Sequence, residues 1–480
     1  MRPLFILITV ILSVSSFAQT KYLIYFKDKG IDNSIRLEKT SSFYKSALNE
    51  LTERCIERRI KNLGEDNIIS YEDIPLRTDY VLNIEAMRIQ IENKLKWFNA
   101  VSAYLTQGQV NQILQLSFVE KIEPIRILKF KSEQPDITSI LQKQISVNTP
   151  LDYGGSYNQL QLSEIPIVHS RGITGEGVLI GVLDSGFDWK NHEALQNADV
   201  IAEYDFVNHD PVTSDEEDDQ PGQQNHGTLT FSIIGGFKNG SLIGASFGSD
   251  FILAKTEDER SETHIEEDNY AAALEWMENY GVDITSSSVG YNEFDSPEYS
   301  YTYANMDGKT TIVTRAAELA FSKGVLTITT AGNEGNTGWR HIIAPADGFN
   351  TLGIGAVDGN NQVEYFSSRG PTYDGRIKPD AVAKGVSVLG ARAGTFNFYT
   401  LAGGTSVAAP IACGIAALLL SANSYLNNTQ LRSILLETAD NSGSPNNDRG
   451  YGLLSALRAI EFPNLEFSDN SYILLHRKEP

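Results

Sequence analysis

The 480-residue sequence holds two cysteines, Cys55 and Cys413, and four each of methionine and tryptophan. Two cysteines in stretches that read as separate units argue against a structural disulfide. Positive charge is scarce over most of the chain. Residues 141–480 carry 20 Lys and Arg against 44 Asp and Glu, a net of −24, whereas 19–140 carry 18 against 17, a net of +1. Such acidity excludes a grip on nucleic acid through phosphate contacts and mainly favours solubility. Beyond the first eighteen residues no run reaches the length expected of a membrane span.

Those first residues, MRPLFILITVILSVSSFA, join Arg2, an apolar run from Leu4 to Val14 and the small residues Ser16 and Ala18. The pattern predicts an export signal over 1–18, with the mature protein extracellular or periplasmic and without a membrane span. A small unit over 19–131 follows. KYLIYFK reads as a strand, 43–63 as helical, 94–106 as a strand, then a helix over 107–118 and the strand EKIEPIRIL, which together suggest an α+β unit of βαβ type. A polar stretch over 132–150 reads as a cleavable linker.

From 151 to 462, apolar β-rich runs alternate with helical ones: VLIGVLD (178–184), DFILAK (250–255), VDITSSSVG (282–290), GVLTITTAGN (324–333) and NTLGIGAV (350–357). Continuous apolar runs between helices predict an α/β unit, a mainly parallel sheet with helices on both faces. A tail over 463–480 ends the sequence.

Open parallel sheets keep their chemistry at the carboxyl ends of strands. Asp184 stands at one such end. His226 lies in NHGTLTFSIIGG, where Leu229, Ile233 and Ile234 predict a helix beginning just after it; the other six histidines, His169, His192, His209, His264, His341 and His476, lack such a setting. Ser406 lies in LAGGTSVAAP among Gly403, Gly404, Ala408 and Ala409, at the head of an apolar run that must be a buried helix. Read singly, Asp184 is equally a turn or cap residue, His226 a cap or packing residue and Ser406 an N-cap. Together, in the order Asp, His, Ser and at intervals of 42 and 180 residues, they suit a hydroxyl activated by a histidine that a carboxylate orients. The clearing around Ser406 would admit a bulky carbonyl.

The segments VLDSG, NHGT, TTAGNEG and GGTSVAAP resemble those of the subtilases, the subtilisin-like serine peptidases, over roughly 150–462. The resemblance implies a secreted endopeptidase working through an acyl-enzyme, with Ser406 as nucleophile, His226 as general base and then acid, and Asp184 as its orienting carboxylate. Asn333 would be an oxyanion donor beside the Ser406 N–H, the alternative being a loop cap. Ser288, Val289 and Gly290 would form one substrate wall, and Thr330, Ala331 and Gly332 the other, pairing with an extended peptide and tolerating many sequences.

The sequence departs from relatives at HGTLTFS, which lacks a second histidine, and at Ala194, where many place a calcium-binding Asp. No cofactor is needed for the chemistry. Structural calcium stays open and unplaced; the acidic run SDEEDD at 214–219 could bind it or be a solvated loop. CIERRIKNLG, DIPLRTDY and LKWFNAVSAYLT resemble the propeptides of Bacteroidetes subtilases, implying an intramolecular inhibitor and a self-processed zymogen whose partners are protein or peptide substrates. Two alternatives are a catalytically inactive module on the same fold and an α/β-hydrolase esterase with Ser406 in a G-x-S-x-G-like turn. The esterase order would leave only Asp440, Asp448 or Asp469 with His476, and too little sheet after Ser406.

Overall fold

The computed structural model describes residues 19–33, 35–125, 151–217, 219–258, 267–291 and 301–462, with the backbone of two paired strands, Leu465–Phe467 and Ile473–Leu475. The export segment, the linker, most of the 291–303 loop, His264, Asp469 and His476 lie outside the described residues.

The first unit contains β1 (Thr20–Phe26), α1 (Ser42–Leu48), α2 (Glu53–Leu63), α3 (Thr78–Ala86), β2 (Lys94–Leu95), β3 (Ala100–Leu105), α4 (Gln107–Ile113) and β4 (Val119–Pro124). Its sheet has the order β2-β3-β1-β4 and every pairing is antiparallel. The expected βαβ step survives only in split form: β3 and β4 run the same way, with β1 between them. The helical pattern over 43–63 is two helices, because the Thr52 hydroxyl accepts the Cys55 N–H at 3.2 Å and starts α2 afresh. The strand expected over 94–106 is a hairpin, with Asn99 in its turn at φ +50°. Along β1 the side chains alternate between two cores. Ile24 and Phe26 pack with Ile84 of α3 and Ile113 of α4, while Leu23 and Tyr25 join the core of the second unit.

That second unit is a seven-stranded parallel sheet of β5 (Leu179–Asp184), β6 (Asp199–Asp205), β7 (Asp250–Lys255), β8 (Ile284–Ser287), β9 (Leu326–Thr330), β10 (Leu352–Val357) and β11 (Ala381–Lys384), in the order β11-β10-β9-β8-β5-β7-β6. Around it lie α5 (Gln224–Gly235), α6 (Glu267–Tyr280), α7 (Ile312–Ser322), α8 (Thr405–Ala422) and α9 (Asn428–Glu437). Ile180 and Val182 of β5 enter the core made with α5 and α8. Leu179 and Leu183 enter the one made with α6 and α7. Burial on both faces is why these strands read as unbroken apolar runs. The edge strands β6 and β11 give no such run: DVIAEYD is interrupted by charge, and AVAK is only four residues long.

By length and composition α8 could cross a membrane, contrary to the expectation that no later run would. It is 83% buried within the sheet's helical layer. Cys55 and Cys413 are both buried and free.

Candidate active site

Asp184 ends β5, fully buried. The Ser185 N–H donates to its Oδ1 at 2.8 Å, and the Thr230 hydroxyl to its Oδ2 at 2.9 Å. His226 Nδ1 lies 2.7 Å from Oδ1. A carboxylate only accepts, so the shared proton belongs to Nδ1 and leaves Nε2 as the basic lone pair. The helix carrying His226 begins at Gln224, ahead of the expected start, because Asp215 from the preceding loop accepts the Gly222 and Gln224 N–H groups at 2.7 and 2.8 Å. A carboxylate there also complements the helix dipole.

Ser406 is the second residue of α8. Gly404 just before it has φ +142°, and a Cβ there would come within 3.0 Å of Ser406 Oγ and 3.4 Å of Asn333 Nδ2. Glycine therefore keeps open the space that the hydroxyl and the amide nitrogen share. The amide's orientation is fixed from behind: Thr405 donates its N–H and its hydroxyl to Asn333 Oδ1 at 2.8 and 2.9 Å. Because the Thr405 hydroxyl is committed to that acceptor, the Thr330 hydroxyl must donate to it in turn. Pro410 lies inside α8 and has no N–H for the Ser406 carbonyl. The Ser288 hydroxyl fills that vacancy at 2.8 Å.

Asp184, Ser288 and Asn333 thus lie at the carboxyl ends of the adjacent strands β5, β8 and β9, with His226 and Ser406 in the first turns of α5 and α8. Residues 175–453 match the subtilase family, and residues 21–139 match the Peptidase S8 propeptide domain, Bacteroidota. The chain belongs to the subtilase family. It is a subtilisin-type serine endopeptidase carrying a propeptide domain, a reading favoured over both the esterase and the inactive module. M-protease of Shouchella clausii (strain KSM-K16) is 26% identical over 418 residues, 86% of this chain and 94% of its own. Subtilisin BL of Lederbergia lenta is 31% identical over 294 residues, 61% of this chain and 94% of its own. Among solved structures, fervidolysin from Fervidobacterium pennivorans, a keratinolytic enzyme related to subtilisin, superposes with a TM-score of 0.62 at 21% identity, over 94% of this chain and 62% of that one. At that identity the likeness concerns the fold.

In this subtilase Ile343 lies between 288–290 and 330–332, the two segments expected to wall the substrate. It is 7% exposed, and its Cδ1 would lie 2.4 Å from a Cβ on Gly290 and 2.9 Å from one on Gly332. Ser288, Val289, Thr330 and Ala331 are all buried. Nothing in the run around Ile343 marks it in sequence. Thr230 was more accessible, lying one helical turn after His226 and so on its face.

The propeptide docks on α6 and α7 through buried charge. Glu278 of α6 sits between Arg58 and Arg59 of α2, with Arg59 Nη2 at 2.5 Å, and Arg59 also reaches Asp73 at 2.9 Å. Lys323 pairs with Asp73 at 2.8 Å. Burial by itself would raise Glu278, but the two arginines outweigh it and hold the carboxyl at about 2. Glu275 accepts the Lys96 and Trp97 N–H groups at 3.0 and 2.9 Å.

Among the described residues the acidic run offers no oxygen cage free of a cation. Carboxylate oxygens of Asp205, Glu216 and Asp219 do gather within 4.8 Å, but the Lys255 ammonium lies 2.8 Å from Asp205 and 2.6 Å from Asp219. A divalent cation does not fit beside it. Asp218 lies outside the described residues, and Ala194 is buried.

Proposed function

We propose that Ser406 is the nucleophile, His226 the general base and then acid, and Asp184 the carboxylate that fixes the imidazole and stabilises its cation. The observation carrying this reading is the 2.7 Å Asp184–His226 contact, set at the same carboxyl end of the sheet as a serine and an asparagine that share the space in front of Gly404. His226 Nε2 takes the hydroxyl proton as Ser406 Oγ attacks the scissile carbonyl. Asn333 Nδ2 and the Ser406 N–H donate to the oxyanion, and the acyl-enzyme is then hydrolysed.

The substrates are extended polypeptides lying between 288–290 and 330–332. Ile343 shortens the pocket for the residue before the scissile bond, which favours small side chains there. The chain is exported, the propeptide domain blocks the cleft until cleavage within the linker, and the chemistry proceeds without a metal. Ser406→Ala tests the whole scheme. It removes one oxygen from a site lined by glycine and alanine, so the precursor folds but stays uncut and turnover falls by about 10⁵–10⁶-fold. Mass spectrometry of both proteins, made in a host without other proteases, decides it. Maturation of the variant at the same bond would refute the assignment.

A further inference from the structure

Lys255 ends β7, in register beside Asp184 on β5, and its side chain is 1% exposed. Burying an ammonium costs several kcal/mol, roughly, unless it is paired. Here Asp205 and Asp219, whose side chains are themselves wholly buried, provide the pairing. Their charges outweigh the burial that would lower Lys255 and raise its value instead. The counterpart is as informative: without the ammonium, Asp205, Glu216 and Asp219 would hold three carboxylates within 4.8 Å, an arrangement that repels itself open.

The loop those carboxylates close runs to the active site. The Glu216 N–H donates to Asp219 Oδ2 at 2.9 Å, and the next residue back is Asp215. Asp215 accepts the Gln224 N–H, and its own N–H donates to Gln224 Oε1 at 2.9 Å, two residues before His226. The same loop presses on the other partner. The Thr213 carbonyl accepts the Phe187 N–H at 2.7 Å and would lie 2.8 Å from a Cβ on Gly186, directly after Asp184 and Ser185.

We propose that Lys255 is a positioning residue, the built-in cation that gathers the Asp205, Glu216 and Asp219 carboxylates into a brace holding the His226 helix against Asp184. The proposal rests on the catalytic reading of His226. Lys255 touches no reacting atom; it sets the geometry through the loop and through Asp215. A surface ion pair or an isolated structural lysine would lack that route, so the prediction concerns turnover and not only stability.

The test compares the mature forms of Lys255→Met, Asp215→Ala, their double variant and His226→Ala, any precursor that does not process itself being cut by added wild-type enzyme that is then removed. Turnover is counted per mole of folded protein, well below the unfolding temperature of each. Lys255→Met should lower kcat by about 10-fold to 10²-fold with KM within about twofold, because misplacing the base weakens the chemical step. Asp215→Ala should act in the same sense, and the double variant should be no worse than the worse single, since both break one connection. Unchanged kcat, a loss confined to KM, or additive losses would overturn the proposal. If Lys255→Met does not fold, Asp215→Ala carries the test alone, and a wild-type kcat there overturns it equally. His226→Ala separates the two readings: residual full activity refutes the catalytic assignment, whereas a dead His226→Ala beside an unaffected Lys255→Met refutes only the brace.

Discussion

Two buried polar regions of this subtilase solve opposite problems. The junction between propeptide and protease removes full charges from water: Arg58, Arg59 and Asp73 from one side, Glu278 and Lys323 from the other. The groups directly around Ser406 are neutral, the Thr405 and Ser288 hydroxyls, the Asn333 amide and glycine backbone, with the buried Asp184 carboxylate held behind His226. A junction that must part gains from charge beside its apolar contacts, since a wholly apolar exposed face would invite aggregation. Charges that pair across it become solvated when it opens. A site where charge develops needs the reverse, donors already oriented and carrying no net charge to distort the resting state.

The largest test breaks the junction. Glu278→Ala leaves two arginines facing a vacancy, and stranding buried charge costs about 3–5 kcal/mol. Inhibition of the matured variant by the separated wild-type propeptide should weaken by about 10²–10⁴-fold, while its turnover of a small peptide stays unaltered. Equal inhibition of variant and wild type would mean that apolar contact through Leu23, Tyr25 and Trp97 carries the docking.

Next comes the neutral site. Asn333→Ala should lower kcat by about 10²–10³-fold at nearly constant KM, because its Nδ2 meets the substrate oxygen only as charge develops there. A change confined to KM would instead make Asn333 a binding residue. The two measurements together separate charge used for recognition from dipoles used for catalysis.

How far each region can be read from sequence follows the same division. Asp184, Ser406 and Asn333 stand where apolar periodicity stops or starts, so local pattern exposes them. His226 was legible as a residue near a helix start, yet the start itself was misplaced, because the cap comes from Asp215, nine residues before Gln224. Lys255 read only as the end of DFILAK; its partners Asp205 and Asp219 lie on other elements. Glu278 and Arg59 are separated by more than 200 positions, and a charged residue in a helix carries no sign of being buried until its partner is known. Ile343 belongs to this class too, since its consequence depends on two distant glycines.

The third test tunes the junction without mutation. Burial, the strongest influence on Glu275, pushes its carboxyl up to about 7 against the opposing pull of the Trp97 and Lys96 N–H groups. Once the propeptide leaves, the side chain meets water and returns towards about 4.3. A group raised in the joined state takes up a proton on joining. Its contribution is whole below about 4.3, falls as pH rises, and is gone above about 7. Propeptide inhibition should therefore weaken from about pH 5 to about pH 8, by about 10²-fold, and Glu275→Gln should flatten that slope. Tighter inhibition at the higher pH would contradict the sign.

The smallest effect is the one that reports on the cleft's shape. Ile343 fills the gap between Gly290 and Gly332, both of which would clash with it if they bore a side chain. In wild type, a peptide with alanine before the scissile bond should be cleaved faster than one with phenylalanine, because a large ring would have to displace a packed isoleucine. Ile343→Ala removes three carbons from the end of the pocket without touching Ser406, His226 or Asn333. The ratio of kcat/KM for phenylalanine over alanine should then rise by about 10-fold to 10²-fold, the range expected when apolar groups are added or removed in a hydrophobic pocket. Alanine peptides should lose little, since they do not reach the new space. If the ratio stays fixed while both rates fall, Ile343 supports the walls and does not limit them, and the preference for small side chains must be traced to other residues.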